Sequence, residues 1–168
     1  MSGKAYGKTL PFGFRGAVSR QPDTLIQSYV NSGNANIEFG APVVFDTATG
    51  GVRKVAASGD AATAIIGLAV RRMGQPYADD PKGYYYKKGD VVDVLVRGSM
   101  TVELEATTGI AARGTVYVNP TTGELTSVSS HGSDSDAVAH LALPNTVFAT
   151  GNYDSNNVVE VTILSRSI

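Results

Sequence analysis

The chain has 168 residues, a formal net charge of −1 and no cysteine. The near-neutral charge gives no electrostatic reason to expect nucleic acid as a partner. The lack of cysteine excludes disulfides, thiolate zinc sites and a thiol nucleophile. A total of 19 glycines and a charged fraction of only 17% favour strands and turns over helices. The length predicts one domain with room for an arm.

The N-terminal residues predict an arm. Residues 1–20 are rich in Gly, Lys and aromatic side chains without a sustained period, and Phe12 and Phe14 bracket a glycine. A disordered tail is the alternative, but exposed Phe side chains are costly to leave in water. Residues 21–30 predict a short helix or an irregular extended segment. We therefore predict an arm and linker over residues 1–30 and a β domain over residues 31–168.

Two segments 73 residues apart are near-copies of each other. Residues 42–52 read PVVFDTATGGV and residues 115–125 read TVYVNPTTGEL. Each has apolar residues, then Asp or Asn, then a Thr-containing turn and a glycine. This pattern is typical of a β-hairpin with a four- or five-residue turn, in which Gly takes the backbone angles that other residues resist. The repeat predicts a β-rich scaffold and carries no catalytic motif.

Further strands follow from the alternation of apolar and polar residues. Residues 64–70 predict a buried strand with a bulge or bend at a glycine. Residues 91–105 alternate almost throughout, with Val91 and Leu95 as exceptions, and predict either one strand bent at Gly98 or two strands around a corner. Residues 157–164 predict a last strand. The fold prediction is all-β, a β-sandwich or jelly-roll-like barrel with an extended N-terminal arm.

The sequence offers little chemistry. His131, Asp134, Asp136 and His140 have residue types that bind divalent metals, but their spacing matches no known loop, and we interpret them as part of a solvated, mobile loop. A nucleophile elbow and a phosphate-binding glycine loop are both missing from the sequence. We predict that the protein is not an enzyme and has no cofactor.

Export and membrane signals are also missing. The first eight residues contain no apolar core of signal-peptide length, and the longest nearly apolar run, residues 61–70, is too short to span a bilayer. We therefore expect a soluble protein without a membrane partner.

Three consecutive tyrosines, Tyr84, Tyr85 and Tyr86, allow two interpretations. In a strand, Tyr84 and Tyr86 would share one face and could stack on a sugar or base. Packing at an edge strand or burial at a protein interface is the alternative. The first interpretation would make the protein a carbohydrate- or ligand-binding β-sandwich, such as a fibre or spike component.

Several short segments, taken in order, resemble a known family. FRGA at residues 14–17, a serine-containing segment near Ser28 and ANIEFGAPV at residues 35–43 are similar to the opening of tailed-phage structural cement (capsid decoration) proteins. IIGLAV at residues 65–70 and KGDVVDVLVRG at residues 88–98 fit the same pattern. The resemblance covers residues 12 to 105.

The resemblance implies a structural virion protein on the outside of a phage head. Such proteins bind the major capsid protein across subunit boundaries, often as dimers or trimers, after assembly in the host cytoplasm. It implies no direct contact with nucleic acid or membrane. We predict that five residues contact the capsid: Phe12, Phe14, Arg15, Ile26 and Phe39.

Overall fold

The computed structural model describes residues 12–55, 59–73, 85–132 and 137–165 of the chain. These residues form thirteen β-strands and a short 3-10 helix, Ala62–Ala64. The strands are β1 (Val18–Val30), β2 (Ile37–Glu38), β3 (Pro42–Asp46), β4 (Gly51–Lys54), β5 (Ile65–Ala69), β6 (Tyr85–Tyr86), β7 (Val91–Glu103), β8 (Thr115–Val118), β9 (Leu125–Thr126), β10 (Ser130–His131), β11 (Val138–Ala139), β12 (Leu141–Phe148) and β13 (Val158–Ile163). The all-β prediction is confirmed. In the described part of the chain no helix is long and apolar enough to cross a membrane.

Nine of these strands form one antiparallel sheet. Its order is β4-β3-β5-β7-β13-β12-β8-β9, and β1 pairs with β7 as an additional strand. The two repeated hairpins, β3–β4 and β8–β9, therefore lie at opposite ends of the sheet. The sheet curls into a half-barrel, so that its ends approach each other. A Cβ atom placed on Gly123 would lie 2.7 Å from the carbonyl oxygen of Val55, which directly follows β4.

Strand β7 is central to the sheet because its two halves pair with different strands. Leu95 and Val94 pair with β5, whereas the stretch from Gly98 to Glu103 pairs with β13. The predicted bend at Gly98 is present. Its φ angle is 126°, which residues with a Cβ atom strongly disfavour. A Cβ atom there would also meet the carbonyl oxygen of Asp23 at 3.0 Å.

Two hydrophobic clusters cover opposite faces of the sheet. Neighbouring residues divide between them: Val43 and Val94 belong to one cluster, Val44 and Leu95 to the other. Adjacent residues of a strand point to opposite faces, so both faces of the central strands are buried. The larger cluster fills the half-barrel, and the smaller one lies beneath the two-stranded sheet of β2 and β6.

Residues 21–30 form an extended segment with an irregular register, which confirms the second of the two predicted alternatives. They belong to β1, which pairs with β7 from Val18 opposite Met100 to Val30 opposite Val91, with register shifts between Val18 and Ile26. Residues 1–11 of the predicted arm lie outside the described residues. The boundary at residue 30 stays a prediction.

Candidate functional site

The segment around Phe14 is fixed through its backbone to the ends of β5 and β7. The N–H of Gly16 donates to the carbonyl of Thr101 at 2.7 Å, and the Gly16 carbonyl accepts from the N–H of Arg71 at 2.7 Å. The Thr101 hydroxyl donates to the Phe14 carbonyl at 2.6 Å. These bonds hold the backbone while the Phe14 side chain remains 63% exposed.

Charged side chains surround Phe14. The guanidinium of Arg71 lies 4.1 Å from the centre of the Phe14 ring, a cation–π arrangement. Arg15 Nη1 donates to Glu103 Oε2 at 3.4 Å. These four residues line an open cavity of about 270 Å³, here called the arm cavity, together with Gly13, Asn156 and Val158. The structure therefore brings together two of the predicted contact residues, Phe14 and Arg15.

Phe12 directly precedes Gly13, which lines the arm cavity, and is half-buried. Its backbone N–H donates to Asp154 Oδ2 at 3.1 Å. The buried Asp154 carboxylate also accepts from the N–H groups of Asn156 and Val158, at 2.8 and 2.9 Å. One carboxylate thus closes the turn before β13 and anchors the start of the described chain.

Ile26 lies on another part of the surface, in β1. Its side chain is 41% exposed and its partner across the strand pair is Leu95. Ser28 lies two residues further along and donates from its hydroxyl to Asp93 Oδ1 at 2.6 Å. Because residues i and i+2 share a face, Ile26, Ser28 and Val30 face the same side of the strand pair.

An apolar strip extends along these two strands. Val30 lies opposite Val91, which is 55% exposed, and directly opposed residues of a strand pair share a face. We call Ile26, Val30 and Val91 the β1 strip. Of these residues, the sequence analysis predicted only Ile26 as a contact. A signal for Val91 was present, because Val91 places an apolar side chain on the polar face of its strand and so breaks the alternation.

Phe39 is in the core. Its side chain is only 7% exposed and meets the Tyr86 ring edge to face, with ring centres 5.2 Å apart. Gly16 passes directly over it, and a Cβ atom on Gly16 would lie 2.8 Å from the Phe39 Cβ. Phe39 therefore has almost no side-chain surface to offer to a partner.

The tyrosine triplet is buried as far as the structure describes it. Tyr85 and Tyr86 are both core residues, and Tyr84 lies outside the described residues. The Tyr86 hydroxyl donates to the Val70 carbonyl at 2.5 Å, and burial is the main cause that raises the pKa of Tyr86 to about 12. A ring held in this way cannot stack on a sugar, which removes the observation that motivated a carbohydrate-binding module.

The two histidines meet, which their interpretation as part of a solvated loop did not anticipate. His131 Nδ1 lies 2.8 Å from His140 Nε2, and His140 is only 9% exposed. Asp134 and Asp136 lie outside the described residues. Within the described ranges, no group of three or more His, Asp or Glu side chains is arranged to hold a metal ion.

The comparisons with known proteins identify the family. The model of the family described as structural cement protein (E217 gp24/Pam3 gp6) matches residues 2–164. The chain belongs to this family of phage structural proteins, which confirms the resemblance seen in the sequence.

The fold comparison agrees. A chain from the structure titled "The capsid of Myoviridae Phage XM1" superimposes with a TM-score of 0.64 at 21% sequence identity, covering 97% of each chain. At this identity the likeness concerns the fold alone. No curated protein sequence matches the chain.

Proposed function

We propose that this protein binds the outside of the major capsid protein shell and cements neighbouring subunits, thereby stabilising the mature phage head. Family membership supports a structural role in the virion. The observation in the molecule that best supports shell binding is the β1 strip, a row of exposed apolar side chains on a strand whose other edge pairs with no strand of the described chain.

The β1 strip has the properties of a contact surface. Contiguous exposed apolar side chains on a protein surface mark interaction sites, and burying the exposed part of Ile26 or Val30, a little under half of each residue, contributes about 1 kcal/mol. The unpaired edge of β1 adds backbone donors and acceptors that a partner strand or loop can satisfy. Phe14, held by its backbone beside the arm cavity, provides a second exposed anchor.

Two separate contact regions suit a cementing role. A protein that touches neighbouring shell subunits at once, or that assembles as a dimer or trimer across a symmetry axis, needs only modest affinity at each contact. Once one contact forms, the other becomes effectively intramolecular. The protein then acts on the outer surface of the virion without catalysis, nucleic acid or membrane, after assembly in the host cytoplasm.

The test uses shells that lack this protein, mixed with purified variants and analysed by co-sedimentation. Ile26→Thr with Val30→Thr keeps β-branched side chains, and therefore strand preference, while it removes apolar surface. We expect weaker shell binding by about fivefold per residue, corresponding to about 1 kcal/mol each. Met73→Thr is the control, because Met73 is an exposed apolar residue outside β1 and β7. Equal binding by both variants would overturn the role of the β1 strip.

A second experiment tests residues 1–11, the first part of the predicted arm. Deleting them leaves Phe12, whose N–H donates to Asp154, and all of β1 in place. If residues 1–11 bind a shell subunit, the truncated protein keeps its thermal stability and binds shells more weakly. Undiminished binding would remove residues 1–11 from the proposal and leave the β1 strip and Phe14 as contacts.

A further inference from the structure

The register of the β10–β11 ribbon brings the two histidines together. Ser130 pairs with Ala139 and His131 with Val138, and the N–H of His140 donates to the carbonyl of Ser129 at 2.8 Å. His140 is therefore opposite residue 129, and His131 lies two residues further along that strand. Diagonal neighbours of this kind share a face of the ribbon. The contact between the imidazoles follows from the strand pairing.

A backbone carbonyl fixes the tautomer of His140. His140 Nδ1 lies 2.7 Å from the Val128 carbonyl oxygen, which can only accept a hydrogen bond, so Nδ1 carries the proton. In the neutral ring, Nε2 then carries a lone pair, which accepts a hydrogen bond from His131 Nδ1–H at 2.8 Å. Histidines that bind metals show this arrangement: one nitrogen donates to a carbonyl and the other is free to coordinate.

We propose that His131 and His140 form a two-histidine site for a borderline divalent metal ion such as Zn²⁺. Nitrogen ligands lie about 2.0 to 2.1 Å from Zn²⁺, so two of them at the tetrahedral angle are about 3.3 Å apart. The present separation of 2.8 Å needs to widen by about half an ångström. His131 is exposed, so it can make this movement and transfer its proton from Nδ1 to Nε2 by exchange with water, which frees Nδ1 to coordinate; buried His140 stays fixed. Water fills the remaining positions.

The two imidazole nitrogens determine which metal ions the site prefers. Imidazole nitrogen suits Zn²⁺, Ni²⁺ and Cu²⁺, whereas Mg²⁺ and Ca²⁺ prefer oxygen ligands. These are the only two histidines of the whole sequence, which has no cysteine. Binding that involves imidazole must therefore take place at this pair, and a single substitution should abolish the two-donor site.

The experiment is calorimetric titration of the full-length protein, without a histidine tag, with ZnCl₂ and then with MgCl₂. We expect one Zn²⁺ per chain and no comparable Mg²⁺ binding. His131→Ala should weaken Zn²⁺ binding at least tenfold, since loss of an outer-shell partner alone costs about 10- to 100-fold. Nitrogen-15 NMR of the imidazoles should show Zn²⁺ on His131 Nδ1 and His140 Nε2.

Two results would overturn the site. One is equal Zn²⁺ affinity of the wild-type protein and His131→Ala; the other is imidazole resonances that do not respond to Zn²⁺, which would leave a hydrogen-bonded pair only. His131 is exposed, so its replacement should leave the fold intact, and a thermal denaturation curve checks this. Neither outcome depends on shell binding, so this proposal and the cementing function are tested separately.

Discussion

Gly50 and Gly123 occupy equivalent positions in two turns 73 residues apart, with φ angles of 71° and 72°. The N–H of Gly50 donates to the carbonyl of Asp46 at 2.8 Å, and that of Gly123 donates to the carbonyl of Asn119 at 2.8 Å. The Asp46 and Asn119 side chains each accept from the N–H two residues later, at 3.1 and 2.9 Å. The sequence repeat therefore corresponds to two turns with matching hydrogen bonds, one near each end of the curled sheet.

Replacing each glycine by alanine should separate backbone strain from crowding. Gly50→Ala adds a Cβ that meets nothing within 4 Å, so the expected cost is only that of a left-handed alanine, about 1 to 2 kcal/mol. Gly123→Ala adds the same strain and a Cβ 2.7 Å from the Val55 carbonyl oxygen, so we expect a further cost of about 1 to 3 kcal/mol. Urea denaturation measures both, and equal losses would show that the sheet ends do not meet as described.

The first turn should tolerate the capping residue of the second. Asp46 accepts hydrogen bonds from the Thr49 hydroxyl at 2.6 Å and from the Ala48 N–H. Both bonds lower the pKa of Asp46, and the hydroxyl bond has the larger effect. Asn119 caps its own turn through one amide oxygen, so Asp46→Asn keeps an acceptor for the Ala48 N–H, loses the second acceptor for the Thr49 hydroxyl and should lower Tm only slightly. Asp46→Ala removes the acceptor and should lower Tm by a few degrees. The same Tm for both variants would mean that the cap does not stabilise this turn.

The hairpins and β7 could be predicted because their signals are local. Turn residues mark the two hairpins, and the alternation around Gly98 marks the bent strand. The curl of the sheet depends on contacts between distant segments, such as Gly123 with Val55, which no local pattern records. The pairing of β1 with β7 is equally long-range, and its register shifts hide the alternation that would have marked residues 18–30 as a strand.

The candidate site was harder to predict because exposure depends on what covers a residue. Phe14 and Phe39 have the same side chain and similar glycine-rich surroundings, yet Phe14 is exposed to solvent and Phe39 is buried under Gly16. The histidine pair shows the same difficulty. His131 and His140 come together through the β10–β11 register, and their sequence spacing does not by itself indicate it.

The contact of Glu160 with the start of β1 should make stability depend on pH. Arg20 donates two hydrogen bonds to the Glu160 carboxylate, both at 2.7 Å, and the Ser19 hydroxyl donates a third. The Arg20 bonds are the main cause that lowers the pKa of Glu160 below its ordinary value of 4.5. A lowered folded-state pKa stabilises the protein above the ordinary value, and this contribution is lost as pH falls through the folded-state value.

Thermal denaturation of the wild-type protein and Glu160→Gln between about pH 7 and about pH 3 tests this dependence. The wild-type protein should be more stable than the variant near neutral pH, and the difference should shrink below pH 4.5. Arg20→Lys is the matched control, since it keeps the positive charge and loses the two-pronged geometry. A difference that stays constant across this range would exclude Glu160 as the titrating group.

Alanine substitutions at Phe14 and Phe39 should have opposite effects on stability and on shell binding. Phe39 is 7% exposed and packs on Tyr86, so Phe39→Ala should lower the free energy of unfolding by about 3 to 5 kcal/mol. Phe14 is 63% exposed and interacts with Arg71, so Phe14→Ala should cost only about 1 kcal/mol or less. Urea denaturation measures both values.

The same two variants then distinguish a contact residue from a core residue on the shell. Under the proposed function, Phe14→Ala binds shells about tenfold more weakly although it is nearly as stable as the wild-type protein. Phe39→Ala, assayed where most of it is folded, should bind like the wild-type protein, because the Phe39 side chain is almost fully buried. Wild-type binding by Phe14→Ala would remove the arm cavity from the contact surface and leave the β1 strip as the only proposed contact in the described chain.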